Sequence, residues 1–129
     1  MPAYAGNNQA KLLHNNGQGF LWDNEVAPVG TLSKAYILER INRSYYPWGL
    51  SFEVSFSGAP GAFEIDLMAA NSDIGNPAPG NYIQIGTITT VNSSNVGRWD
   101  MPSNMWPKYV AAYITTLTNA VNVTLTVTK

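Results

Sequence analysis

The stretch Gly49–Ala70, GLSFEVSFSGAPGAFEIDLMAA, decides how the rest of the chain is read. Leu50, Phe52, Val54 and Phe56 fall at every second position, and after SGAPG the alternation resumes with Phe63, Ile65 and Leu67. Successive side chains of a strand point to opposite faces, so this spacing marks two strands with one buried side each. Gly and Pro between the runs supply turn chemistry. The pattern predicts a β-hairpin with one wet face, in which Phe56 lies opposite Phe63, Val54 opposite Ile65 and Phe52 opposite Leu67. A slip of one residue would turn the whole apolar set to water, so the register is expected to be firm. In that register Glu53 faces Asp66 on the wet side, with Glu64 diagonal to it.

Working outward, Tyr109–Thr116 (YVAAYITT) and Val121–Thr128 (VNVTLTVT) read as a strand, the turn LTNA, and a strand running back. Val121, Val123, Leu125 and Val127 point one way; Asn122, Thr124, Thr126 and Thr128 point the other. Natural sheets avoid a flat uncharged row at an exposed edge, so this strand is expected either inside a sheet or against a partner. In YIQIGTITTV, Ile83 and Ile85 share a face and Gly86 shifts parity for Ile88, the signature of a bulge. Asn92–Asn95 is a turn, Gly97–Met101 a short strand, and Pro102 and Pro107 bracket a loop. Asn71–Asn81 (NSDIGNPAPGN) is long for a hairpin connection and is a candidate contact loop.

Upstream, Phe20, Leu21 and Trp22 open an apolar patch. Thr31–Arg43 reads as a strand with Leu32, Tyr36 and Leu38 on one face, or as a short helix using Leu32, Tyr36, Ile37, Arg40 and Ile41. The all-β surroundings favour the strand. Met1–Gly19 is rich in Asn, Gly and Gln. It is either a disordered tail or an arm that orders on a neighbouring subunit through Tyr4, Leu12 and Leu13. Short strands with turn signals at about 8–12-residue spacing point to an all-β chain, an antiparallel β-sandwich or jelly roll over 20–129, preceded by an extended N-terminal arm over 1–19.

Composition narrows the function. With 129 residues the chain is long enough for one domain with its own core. It has no cysteine, which rules out disulfides and thiolate metal sites. Charged residues make up 12% and the net charge is -1, so a nucleic-acid binder's basic stripe is not expected. No apolar run would span a bilayer, and the N-terminus has no basic region followed by an apolar core. The expectation is a protein made in the cytoplasm, without membrane or nucleic-acid partners.

Glu53, Asp66 and Glu64 raise two chemical readings. A glycosidase pair needs a cleft between its carboxylates, which a flat strand face does not offer. Calcium needs six to eight oxygens, and Asn71, Asp73 and Asn76 echo a calcium loop only faintly. An ion pair of Glu53 and Asp66 with Arg98, with Arg43 or with a neighbour's arginine is the simpler reading. His14 is the one histidine and lies in the polar tail, so no serine has a histidine placed to activate it. The chain is therefore expected not to be an enzyme, and to need no cofactor or metal. Tyr45, Tyr46, Trp48, Trp99 and Trp106, with Trp22 earlier, either cap the core, form a subunit interface, or make a sugar-stacking platform.

The segments FEVSFSGAPGAFEIDLMAAN, YIQIGTITTVNSSNVGRWDMP and WPKYVAAYITTLTNAVNVTLTVT resemble those of small β-sandwich virion structural proteins of tailed bacteriophages. The resemblance covers about Trp48–Lys129. It implies a capsid decoration (cement) protein, a homo-oligomer bound to the capsid exterior. The partners it implies are the major capsid protein and copies of the chain itself. No catalytic or ligand residue comes with it. The alternative is a carbohydrate-binding sandwich on a phage fibre or spike, stacking sugars on Trp48, Trp99 or Trp106.

Overall fold

Eleven strands and a 3-10 turn, Pro79–Asn81, make up the regular structure of the described residues in a computed structural model. It describes residues 5–6, 10–13, 17–38, 50–71, 79–102, 105 and 107–129. The strands are β1 (Ala5–Gly6), β2 (Ala10–Leu13), β3 (Gln18–Val26), β4 (Thr31–Leu32), β5 (Ala35–Leu38) and β6 (Ser51–Phe56). They continue with β7 (Phe63–Ala70), β8 (Ile83–Ile88), β9 (Val96–Asp100), β10 (Tyr109–Leu117) and β11 (Asn122–Thr128).

One sheet runs β3-β11-β6-β9, antiparallel throughout. In the other, β10 pairs with β7 on one side and with β4 and β5 on the other, and β8 lies beyond β7. Pairing first with last (β3 with β11), then β5 with β10, β6 with β9 and β7 with β8 describes one long eight-stranded hairpin. Rolled up so that β11 meets β6 and β10 meets β7, it becomes two packed sheets. That is jelly-roll topology.

The short hairpins read from the sequence do not form. β6 and β7 lie in different sheets, as do β10 and β11. Each pair is joined by an arch across the sandwich, and the two arches nest. Asn119 donates its backbone N–H to Pro60 O (3.0 Å) and its amide to Ala59 O (2.9 Å), and Thr118 N and Oγ1 both donate to Ala62 O. Gly61 sits at φ 69, in the left-handed region that glycine tolerates best. Alternation names the buried side of each strand, but a neighbour beside it and a neighbour across the core bury that same side. Phe56 and Phe63 do meet, yet from opposite sheets across the sandwich, edge-on with centroids 4.9 Å apart.

Between the sheets lie Phe52, Val54 and Phe56 from β6, Phe63, Ile65 and Leu67 from β7, Val110, Ala112 and Ile114 from β10, and Val123, Leu125 and Val127 from β11. The Thr row of β11 is interior to its sheet, flanked by β3 and β6. A second apolar layer, Leu32, Ala35, Met68, Ala70, Tyr82, Tyr109 and Ala111, lies on the outer face of the β10 sheet. β7 and β10 are therefore buried on both faces over much of their length, where β7 was expected to keep one wet face.

Thr31–Leu38 is extended, as favoured, but broken into β4 and β5 at Ser33. Ser33 N donates to Ala112 O (2.8 Å), and its buried hydroxyl accepts from Ala112 N (2.8 Å) in place of a backbone carbonyl. The break lets Leu32 join the outer layer while Leu38 joins the main core. Register shifts opposite Leu67 and Met68 leave Ile85 unpaired beside Gly86, the bulge that the glycine announced.

Two aromatic rings close the seams between the sheets. Trp99 on β9 packs on Gly86 and against Phe52, whose ring centroid is 5.8 Å away. On the other side Tyr36 lies on Gly19, and its hydroxyl accepts from Phe20 N (3.1 Å) and donates to Phe20 O (3.3 Å).

Candidate functional site

The carboxylates grouped by the expected hairpin separate. Glu53 is exposed on the outer face of β6, while Glu64 and Asp66 lie on the outer face of the opposite sheet. An ion-pair set of Glu53, Asp66 and Arg98 is thereby corrected, because arches send β6 and β7 to opposite sides of the core.

Glu53 keeps Arg98. The two are cross-strand neighbours in the β6–β9 ladder. Arg98 Nε binds Asp100 Oδ1 at 2.8 Å, and Nη2 reaches Ser51 Oγ at 3.2 Å. The hydrogen bond and charge of Asp100 push the Arg98 guanidinium further up. The same bond from Arg98 holds the Asp100 carboxyl below its usual range. Around these charges the outer face of the sheet carries Ser51, Ser55, Thr124, Thr126 and Thr128, all hydroxyls, with half-exposed Phe20 at 43% beside Thr126. It is a hydroxyl-rich surface on which one guanidinium, Arg98, stands between two carboxylates, Glu53 and Asp100.

Asp66 is only 6% exposed, and its Oδ1 has no hydrogen-bond partner among the described residues. Burial first, then the hydrogen bond and charge of Glu64, push it up to about 7. Tyr113 and Thr87 are its cross-strand neighbours. Farther along the outer layer, the Tyr82 hydroxyl is buried without a partner among the described residues, and burial pushes this phenol up. The i, i+2 spacing of Glu64 and Asp66 was visible in the sequence. The signal for their half-buried setting was the unbroken apolar runs LMAA and YVAAYI, which mark strands covered on both faces.

Of the candidate interface residues, Leu13 is buried in this chain's own core, because β2 pairs in parallel with β5. Leu12 lies in the same strand. Trp22 is buried at 5%, brought inward together with Leu21 by a register shift between β3 and β11. Trp99 spends a ring face on Gly86. Tyr4, His14, Tyr45, Tyr46, Trp48 and Trp106, and most of the Asn71–Asn81 loop, lie outside the described residues. A groove of about 470 Å³ runs along β8, lined by Ile83, Ile85, Ala69, Met105 and Pro107 among others, with Ile83 58% exposed. Among the described residues no three His, Cys, Asp or Glu side chains gather as a metal site would require.

No family model and no curated protein matches the chain. Among solved structures, the crystal structure of the SPBc2 prophage-derived protein YomS is similar, with a TM-score of 0.48 at 13% sequence identity. The match covers 87% of this chain and 93% of that one.

Proposed function

We propose that the chain is a structural virion protein of a tailed bacteriophage, a decoration protein that binds the outer capsid shell and bridges neighbouring subunits as a homo-oligomer. One observation carries the reading: the outer face of the β3-β11-β6-β9 sheet presents the hydroxyl pairs Ser55–Thr124 and Ser51–Thr128, with Thr126 opposite Glu53 between them. Covering hydroxyls with another protein costs far less than covering charges, and each can find a new partner there. The rigid two-layer sandwich behind it holds that face in shape. The sequence resemblance of Trp48–Lys129 to virion β-proteins supports the same reading.

The test is cosedimentation of the purified chain with undecorated capsids. Saturable binding is expected, weakened at least tenfold by Thr124→Lys with Thr126→Lys, whose unfolding transition stays near that of the parent. A parent chain that stays in the supernatant at all shell concentrations overturns the assignment.

A further inference from the structure

We propose that β9 is a self-pairing edge through which two copies of the chain join about a two-fold axis at Trp99. The inference deepens the homo-oligomeric part of the reading above and rests on it. Among the described residues β9 is the open edge of its sheet, hydrogen-bonded to β6 alone. Phe56 N donates to Asn95 O (3.0 Å) and Met101 N to Leu50 O (2.8 Å). In an antiparallel ladder the bonded pairs alternate, so Gly97 and Trp99 also face β6, and Val96, Arg98 and Asp100 turn their backbone groups outward.

The ends of this row are closed. Val96 N donates to Asn92 Oδ1 (3.1 Å), and Val96 O accepts from Asn92 N (2.9 Å). Pro102 has no N–H, and its carbonyl accepts from Met105 N (3.0 Å). Among the described residues, the backbone groups of Arg98 and Asp100 are what remains of this edge.

Charge selects one register. With the axis at Trp99, Arg98 of one copy lies opposite Asp100 of the second, and each pair exchanges both N–H···O bonds. Sliding by one bonded pair either way sets Arg98 on Arg98 or Asp100 on Asp100. In the chosen register Val96 meets Pro102, neither of which has a free donor, so the pairing stops where the open groups stop. Across the joined sheet each Arg98 stands between Glu53 of its own chain and Asp100 of the second copy. The Arg98 and Asp100 side chains are well exposed, at 60% and 64%, so the ion pair they form within one chain can be shared with the second copy. Open edges are commonly protected from pairing by shortness, by charged side chains of which lysine is the commonest, by proline, or by a bulge. β9 instead carries two opposite charges placed so that they attract across a two-fold axis. A five-residue edge is smaller than a standard interface, so the dimer is expected to form in a concentration-dependent equilibrium.

The experiment is sedimentation velocity on the full chain from about 10 μM to about 1 mM, the range in which weak dimers assemble. The parent is expected to shift from monomer to dimer. Arg98→Asp and Asp100→Arg are each expected to weaken the dimer at least tenfold, and the combined exchange to recover most of the loss relative to Arg98→Asp alone. Thermal melts confirm that each variant folds. A parent that stays monomeric throughout, single variants that dimerise as the parent does, or a combined exchange without recovery overturns the inference. Capsid cosedimentation of the same samples separates the two proposals. A monomer that binds shells removes only the β9 pairing, and a dimer that ignores them removes only the virion assignment.

Discussion

Gly86 shows how single residues close this sandwich. A Cβ built there would run into the Trp99 ring, whereas nothing lies within 4 Å of one built at Gly80. Gly86→Ala is therefore expected to cost about 1–3 kcal/mol by overpacking a fixed indole. Gly80→Ala is the matched control, and urea unfolding of the two measures the difference. Asp66 makes stability depend on pH. Its folded-state carboxyl titrates near 7, against an ordinary 3.8, so the folded chain binds more protons than the unfolded chain between those values. Stability from this group is therefore highest at acid pH, falls as pH rises from about 4 to about 7, and is flat above that. Asp66→Asn, whose amide can still donate to Glu64, is expected to unfold at higher urea than the parent at pH 8 and to lose the slope between pH 5 and pH 8.

At the scale of elements, the arches are the feature to test. In the hairpin reading, Glu53 and Asp66 are cross-strand neighbours; in the folded chain, Ser55 is the neighbour of Thr124. Antiparallel neighbours lie within disulfide reach, and residues on opposite outer faces of a sandwich do not. Ser55→Cys with Thr124→Cys is therefore expected to close an intrachain disulfide on mild oxidation, and Glu53→Cys with Asp66→Cys to remain reduced. A thiol count and mass shift read the result. The break between β4 and β5 makes a second case. Ser33→Ala removes the acceptor of the buried Ala112 N–H, at an expected cost of about 1–3 kcal/mol in the same urea titration.

For the whole molecule, the ladder between β3 and β11 joins Gln18 to Thr128, so the first sandwich strand and the last are neighbours. β11 also pairs with β6, which makes the C-terminal strand a centre of its sheet. Removing residues 121–129 takes out Val123, Leu125 and Val127 from the core and exposes two long ladders. That truncation is expected to abolish cooperative unfolding and amide dispersion in an NMR spectrum. Contacts so distant in sequence also make slow folding the expectation.

The same long-range pairing separates what could be read in the chain from what could not. The main strands from β6 on, their core-facing sides and the bulge beside Gly86 were legible, because side-chain alternation and glycine backbone freedom are local properties. The Thr row was read as interior or against a partner, and the place of β11 between β3 and β6 decided for the interior. Leu13 was read as an anchor for a neighbour, but β2 adds it to this chain's own core, a result that depends on a partner strand more than twenty residues away. The site was less legible still: Arg98, Asp100 and Glu53 meet because β6 and β9 are paired across some forty residues of sequence. By itself, then, the sequence determined an all-β chain with strands of known inward face and a surface short of charge. Only the tertiary structure decided which strands lie side by side and which face each other across the core, because either arrangement buries the same apolar side and a local pattern cannot tell them apart.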